Sequence, residues 1–226
     1  MSLSDFGRLP RSGAISRLLF GGVVIVISAH SPSQAAQEDN LRIGVTSAAT
    51  ILATGTPPRE AARILEVGTD MVANERVVTS ASGRVQLLFV DGSAVTIGPN
   101  SDLVLDEYIY DPATKTGKIA FSTAQGVFRF VGGKISKTTP VEFRTPVATI
   151  GIRGGCGDVK VDGQNVTAIN NFGNMSYAPK GGGDAPLNIT RSGFKIEASS
   201  ATAYDLKPAA KSDFNAFNNT LQGGTT

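Results

Sequence analysis

Val85-Gln86-Leu87-Leu88-Phe89-Val90-Asp91-Gly92-Ser93-Ala94-Val95-Thr96-Ile97 sets two runs of β-branched, aliphatic and aromatic residues on either side of an Asp-Gly pair. An Asp-Gly turn readily supplies the positive φ that a tight connection requires, so the stretch predicts a β-hairpin. Val85, Leu87 and Phe89 alternate with Gln86, Leu88 and Val90. Both sides of that first strand are largely apolar, which predicts burial on two faces.

Runs with the same period recur outward from this hairpin. They fall at residues 103–109, 117–122, 126–131, 141–144, 147–152, 158–161, 165–170, 174–178, 186–190 and 193–197. Their period is near two rather than 3.6, few exceed nine residues, and Gly, Asn, Asp or Pro punctuates them. The pattern predicts an all-β single domain of many short strands, either a two-sheet sandwich or jelly-roll-like fold or a short β-solenoid. Residues 36–60 read as a lead-in segment, residues 61–200 as the β domain and residues 201–226 as a C-terminal tail. In that tail Ser212 is expected to cap a short helix with Phe214, Phe217 and Leu221 on one face. Residues 180–184 (Lys-Gly-Gly-Gly-Asp) read as a flexible loop.

The N-terminus reads as an address. Arg8, Arg11 and Arg17 precede the apolar run at residues 18–29, and Ser33-Gln34-Ala35 places small residues for cleavage before Ala36. This is the pattern of a Sec-type signal peptide over residues 1–35, and it predicts a periplasmic or secreted protein. A membrane-spanning helix needs roughly 20 apolar residues, and this run is broken by His30, Ser31 and Pro32. The expected membrane contact is therefore only through the transient leader. Cleavage would remove Arg8, Arg11, Arg17 and Asp5, leaving 18 basic and 18 acidic residues. A neutral chain lacks the electrostatic footprint of a nucleic-acid binder.

The same cleavage would remove His30, the only histidine, and leave Cys156 as the only cysteine. Ser-His-Asp and Cys-His chemistry need an imidazole, and zinc sites need several His or Cys ligands. The expectation is a non-enzymatic chain without metal or cofactor. Asp102, Asp106, Glu107 and Asp111 form an acidic stretch, but the calcium-loop spacing is absent. Strand alternation places Asp106 and Glu107 on opposite faces, so a solvated edge is expected. Phe121, Phe128, Phe130 and Phe143 read as core, with stacking on a sugar or base as the rival use.

Several ordered motifs run over residues 64–155. Val67-Gly68-Thr69-Asp70 is followed by residues 77–84 (Val-Val-Thr-Ser-Ala-Ser-Gly-Arg), which is similar to the entry of the FecR domain of bacterial envelope proteins. Leu88-Phe89-Val90-Asp91-Gly92-Ser93 is similar to its D-G-S hairpin, and Ile97-Gly98-Pro99-Asn100-Ser101 to its G-P-x-S turn. Residues 145–154 (Thr-Pro-Val-Ala-Thr-Ile-Gly-Ile-Arg-Gly) are similar to its T-P-x-A-x-x-G-x-R-G signature. The resemblance implies a binding or scaffolding module that contacts another envelope protein, with signalling as one use. The alternative is a structural or glycan-binding surface protein. Full regulators of that family place a cytoplasmic anti-sigma segment and a membrane helix before this domain. Here the leader stands in that place, which predicts a chain without contact to a sigma factor. Where the family continues with Thr after R-G, this chain has Gly155-Cys156.

The candidate interaction or structural-motif residues are Asp91, Gly92, Pro99, Asn100, Arg153 and Cys156. Asp91-Gly92 and Pro99-Asn100 are expected at loops of a contact surface, with an exposed sheet edge as the other contact. Arg153 is expected to hold a neighbouring loop by hydrogen bonds. Cys156 is expected either buried as a small apolar residue or free for an intermolecular disulfide.

Overall fold

The computed structural model describes residues 41–50, 52–181 and 185–223. The signal-peptide reading and part of the 180–184 loop lie outside the described residues. The chain is all-β with one described helix. In order its strands are β1 (Arg42–Thr50), β2 (Ala53–Thr56), β3 (Arg63–Ile64), β4 (Asp70–Val72), β5 (Arg76–Thr79) and β6 (Arg84–Phe89). There follow β7 (Ala94–Ile97), β8 (Asp102–Asp111), β9 (Thr116–Val131), β10 (Val141–Arg144) and β11 (Ala148–Asp162). Last come β12 (Asn165–Pro179), β13 (Leu187–Ile189), β14 (Phe194–Ala198), β15 (Tyr204–Pro208) and helix α1 (Lys211–Gln222).

Hydrogen bonds join these strands into one continuous network rather than two separate sheets. Its main path runs β15-β14-β12-β11-β10-β9-β7-β6-β1-β4, and β8, β5, β2 and β3 extend from β9. β1 lies between β6 and β4 in the sheet. The hairpin of β6 and β7 forms as predicted, with Leu88 opposite Ala94. Its loop spans three residues, closed by the Phe89 N–H on the Ser93 carbonyl at 2.9 Å. Only Gly92 in it takes positive φ, at 83°.

Three strands run 15 or 16 residues, longer than the expected short pieces. The predicted runs 117–122 and 126–131 fuse into β9, 147–152 and 158–161 into β11, and 165–170 and 174–178 into β12. Ala124 in β9 and the glycine-rich stretch 154–157 in β11 mark bulges rather than strand ends. At each bulge the strand bends and can change neighbour. β11 pairs with β10 over Val141–Arg144 and with β9 after Cys156. One network thereby wraps the core without a second sheet.

That core holds the phenylalanines. Phe121, Phe128, Phe130 and Phe143 are at most 1% exposed, and Phe143 lies 5.0 to 6.3 Å from the other three ring centroids. Each such burial stabilises by about 1.5–3 kcal/mol. Burial on two faces of the hairpin is corrected: Val85, Leu87 and Phe89 are buried, whereas Leu88 and Val90 are 42% and 49% exposed. An antiparallel sheet can leave one face to solvent even where its residues are apolar.

Helix α1 docks on the sheet, with Phe217 and Leu221 packed around Ile169. Its cap is corrected. The helix begins after Ala210, whose N–H donates to Asp213 Oδ2 at 2.7 Å, and Ser212 lies inside the first turn. The Lys195 ammonium ties the helix to β14 through Asp213 at 3.0 Å and Glu197 at 2.6 Å.

Candidate functional site

Asp91 follows β6 and is 1% exposed. Its Oδ1 accepts the Ser93 hydroxyl at 2.6 Å and the Ser93 N–H at 3.1 Å, an Asx-type turn that holds the hairpin loop. Its Oδ2 accepts the Ile135 N–H at 3.1 Å, and its backbone carbonyl accepts the Lys134 N–H at 3.0 Å. The Tyr108 hydroxyl accepts the Asp91 N–H at 3.0 Å. Burial and the Asp91 carboxylate together push the Tyr108 phenol well above its ordinary range. The D-G-S segment is thus a buried lock on the 3-10 turn Ile135–Lys137. Gly133 is required there, because a Cβ would overlap the Ser93 N–H and crowd Asp91.

The second motif reaches the same turn from the other side. The Gly132 N–H donates to the Gly155 carbonyl at 2.8 Å. β11 is bulged against β12 between Arg153 and Gly157. Gly154 takes φ 60°, and a Cβ at Gly155 would overlap the Phe172 carbonyl. Glycine is needed at Gly154 for conformation and at Gly155 for the close approach of two backbones. The turn leads into Pro140, one wall of a cleft of about 420 Å³ floored by Gly151 and flanked by Arg153, Asn174, Ser176, Asn188 and Thr190. A Cβ at Gly151 would overlap the Ser176 hydroxyl and meet Pro140 at 3.3 Å.

Residues 75–176 match the sequence profile of the family described as FecR protein. This segment is a FecR domain. The match begins after the Val67–Asp70 entry motif and extends past Gly155 through most of β12. No curated protein matches the chain significantly. Two crystal structures of a candidate anti-sigma factor from Parabacteroides distasonis are similar, each with TM-score 0.49. Identity is 15% and 14%, and the match covers 66% of this chain. The chain spans 65% and 66% of the length of those two chains, just under two thirds.

Within the FecR domain, Gly92 is an exposed loop tip, whereas Asn100 is an exposed turn residue at φ 49° beside half-buried Pro99. They lie at opposite ends of β7, so the two predicted loops do not form one patch. Arg153 corrects its expected role: its side chain is exposed and makes no hydrogen bond or ion pair among the described residues. Cys156 is 7% exposed. Burial pushes its thiol up, and the Asn171 amide donates to Sγ at 3.5 Å.

The opposite-face reading of Asp106 and Glu107 is corrected as well. A register shift in β8 between Val104 and Glu107 turns both toward Arg144, at 3.6 and 3.1 Å. Glu142 at 2.9 Å completes a cluster of three carboxylates on one guanidinium. The Lys118 ammonium, 2.7 Å from Glu107, brings the cluster to two cations against three acids. No group of three or more His, Cys, Asp or Glu residues that could hold a metal occurs among the described residues.

Sequence reasoning missed two buried carboxylates. Asp158 is fully buried and accepts both Arg129 nitrogens, at 2.6 and 2.7 Å. Glu75, also fully buried, accepts Arg63 at 3.0 Å and the Val72 N–H at 3.1 Å. Burial raises the Glu75 carboxyl above its ordinary value against the pull of those two donors. Alternation in β9 does place Arg129 opposite in kind to Phe128 and Phe130, but no local signal says which acid it meets. The polar rim of the cleft, Asn174, Ser176 and Asn188, was also missed, since each reads as an ordinary strand residue.

Proposed function

We propose that this chain is a non-enzymatic binding and scaffolding module of the bacterial envelope that contacts another envelope protein in a signalling role. The observation that carries the reading is how the FecR motifs use their polar residues. Asp91 and Ser93 are consumed in a buried lock, Gly154 and Gly155 in a backbone crossing, and the Arg153 side chain turns outward with no partner among the described residues. A catalytic centre would keep facing acid and base groups free; here the buried carboxylates Glu75 and Asp158 are each bound to an arginine. No helix among the described residues is long and apolar enough to cross a membrane. Export rests on the leader read at residues 1–35.

We put the contact surface at a sheet edge rather than at the Asp91-Gly92 loop, because the Asp91 carboxylate is buried. β15 is a guarded edge, carrying Lys207 and Pro208, which discourage strand addition. β13 is an edge paired only with β12 among the described strands. The glycan-binding alternative loses the four candidate phenylalanines, which are core.

Crosslinking the tagged protein in cells and capturing it from the envelope fraction tests the reading. One stoichiometric protein partner supports it. Wall polymer alone, or only self-crosslinked chain, would replace it with the structural role.

A further inference from the structure

Among the described residues, the cleft beside β13 carries one cation and no acid. Its polar lining is Arg153, Asn174, Ser176, Asn188 and Thr190, over the bare floor of Gly151. The other arginines of the FecR domain are all engaged. Arg76 is paired with Asp102, Arg129 with Asp158 and Arg144 with its three carboxylates, while Arg84 donates to the Thr220 carbonyl at 2.7 Å. A guanidinium standing free at a concavity presents a planar fork that suits a carboxylate.

The concavity is built rather than incidental. The backbone at Gly151 is ordinary extended strand, so no turn geometry demands glycine there. The missing side chain lets the Ser176 hydroxyl and Pro140 sit directly against the strand, where a Cβ would overlap the first and meet the second at 3.3 Å. Pro140 in turn is placed by the turn that Asp91 and Gly155 hold. The two FecR motifs therefore shape and charge one surface.

We propose that this cleft is the subsite for a carboxylate of an extended peptide on the partner protein, a proposal that rests on the binding-module reading. Arg153 takes the carboxylate bidentately. The amides of Asn174 and Asn188 and the hydroxyls of Ser176 and Thr190 meet neighbouring peptide groups. A single positive charge matches a monoanionic carboxylate better than a phosphate dianion. No aromatic ring lines the cleft to stack on a sugar face. The free edge of β13 offers backbone hydrogen bonds to an extended chain.

The test titrates nine-residue Ser/Gly peptides into the 15N-labelled protein and follows amide shifts. One peptide carries a central glutamate and an amidated C-terminus. A second has glutamine in its place, and a third is that glutamine peptide with a free C-terminal carboxylate. Trigalacturonate is the sugar-acid probe. The expected result is saturable shifts at Asn174, Ser176 and Asn188 with the glutamate peptide, the free-C-terminus peptide or both, which tells side-chain from terminal capture. Arg153→Gln should weaken binding about tenfold or more, as loss of a charged hydrogen-bond pair does. Arg153→Lys should weaken it by a smaller factor, and Lys160→Gln, at an exposed position outside the cleft, should not. Carboxylate peptides that shift nothing, shifts unchanged by Arg153→Gln, or binding of trigalacturonate alone would each overturn the proposal. Crosslinking of Arg153→Gln in cells separates the two levels. A partner captured equally by the variant sinks the cleft and leaves the module reading standing. A wild-type chain that captures no protein sinks the module reading itself.

Discussion

The Asp91 carboxylate accepts the Ile135 N–H at 3.1 Å across 44 residues of chain, and this bond ties the β6–β7 hairpin to the turn that walls the cleft. Asp91→Ala leaves the Ile135 N–H and the Ser93 N–H and hydroxyl without their acceptor. Orphaned buried donors cost about 1–3 kcal/mol each, less whatever water recovers. The variant is expected to lose about 3 kcal/mol or more of unfolding free energy by urea titration. Asp91→Asn should lose less, because one acceptor oxygen remains. Equal losses would mean that charge rather than hydrogen-bond geometry matters here.

Glycine at positions 155 and 163 answers different demands, and alanine separates them. Gly163 takes φ 57° in the β11–β12 turn with open space around its Cβ direction. Gly163→Ala should cost about 1–2 kcal/mol, the penalty for a left-handed conformation. At Gly155 a methyl group would overlap the Phe172 carbonyl, so the two strands must separate. Gly155→Ala should cost clearly more, read as a lower urea midpoint and loss of amide protection in β12.

Arg129 and Asp158 form a bidentate pair with a fully buried acid. Removing one partner strands the other charge, and Arg129→Met alone should destabilise by about 3–5 kcal/mol. The double variant Arg129→Met with Asp158→Leu should recover much of that loss. Additive losses in the double-mutant cycle would show that the two side chains do not act as a unit.

Glu75 sets a pH dependence of a particular sign. Burial raises its carboxyl above the ordinary 4.5 in the folded chain. Between 4.5 and that raised value the folded chain holds the proton more tightly than the unfolded chain. Its contribution to stability is therefore greatest at low pH and declines as pH rises through that window. Glu75→Gln removes the decline. The stability difference, wild type minus variant, should shrink from pH 4.5 upward; a difference that grows would mean that Arg63 and the Val72 N–H outweigh burial.

Cys156 should behave as a protected thiol. Its burial and raised pKa disfavour the thiolate, which is the reactive form. Ellman's reagent at pH 8 should react about a hundredfold more slowly with the folded chain than with the urea-unfolded chain. Fast native reaction would restore the intermolecular disulfide as a use for this residue.

The hairpin at residues 85–97 and the β period of the later runs were readable because alternation and turn chemistry depend on residues a few positions apart. Ordered motifs identified the FecR domain for the same reason. The strand ends at 153–157 and 171–173 were misread because glycine marks a turn and a bulge with the same letter, and the break at 123–125 because a bulge at Ala124 carries no local signal. Only a facing strand decides between them. The outward Leu88 and Val90 show the same limit, since apolar residues on both sides of a strand do not say whether a second layer will cover them.

The sequence by itself therefore determined the all-β class, the hairpin and the FecR motifs, all set by local backbone preference and side-chain period. Tertiary structure alone decided what those motifs do. Asp91 became a buried lock because a turn 44 residues away brought an N–H to it. Asp158 and Glu75 became paired interior charges because strands distant in sequence met. Arg153 was left free over a cleft because its neighbours across β12 and β13 are amides and hydroxyls rather than acids. Burial and charge compensation belong to the neighbours that folding supplies, and no short stretch of chain contains them.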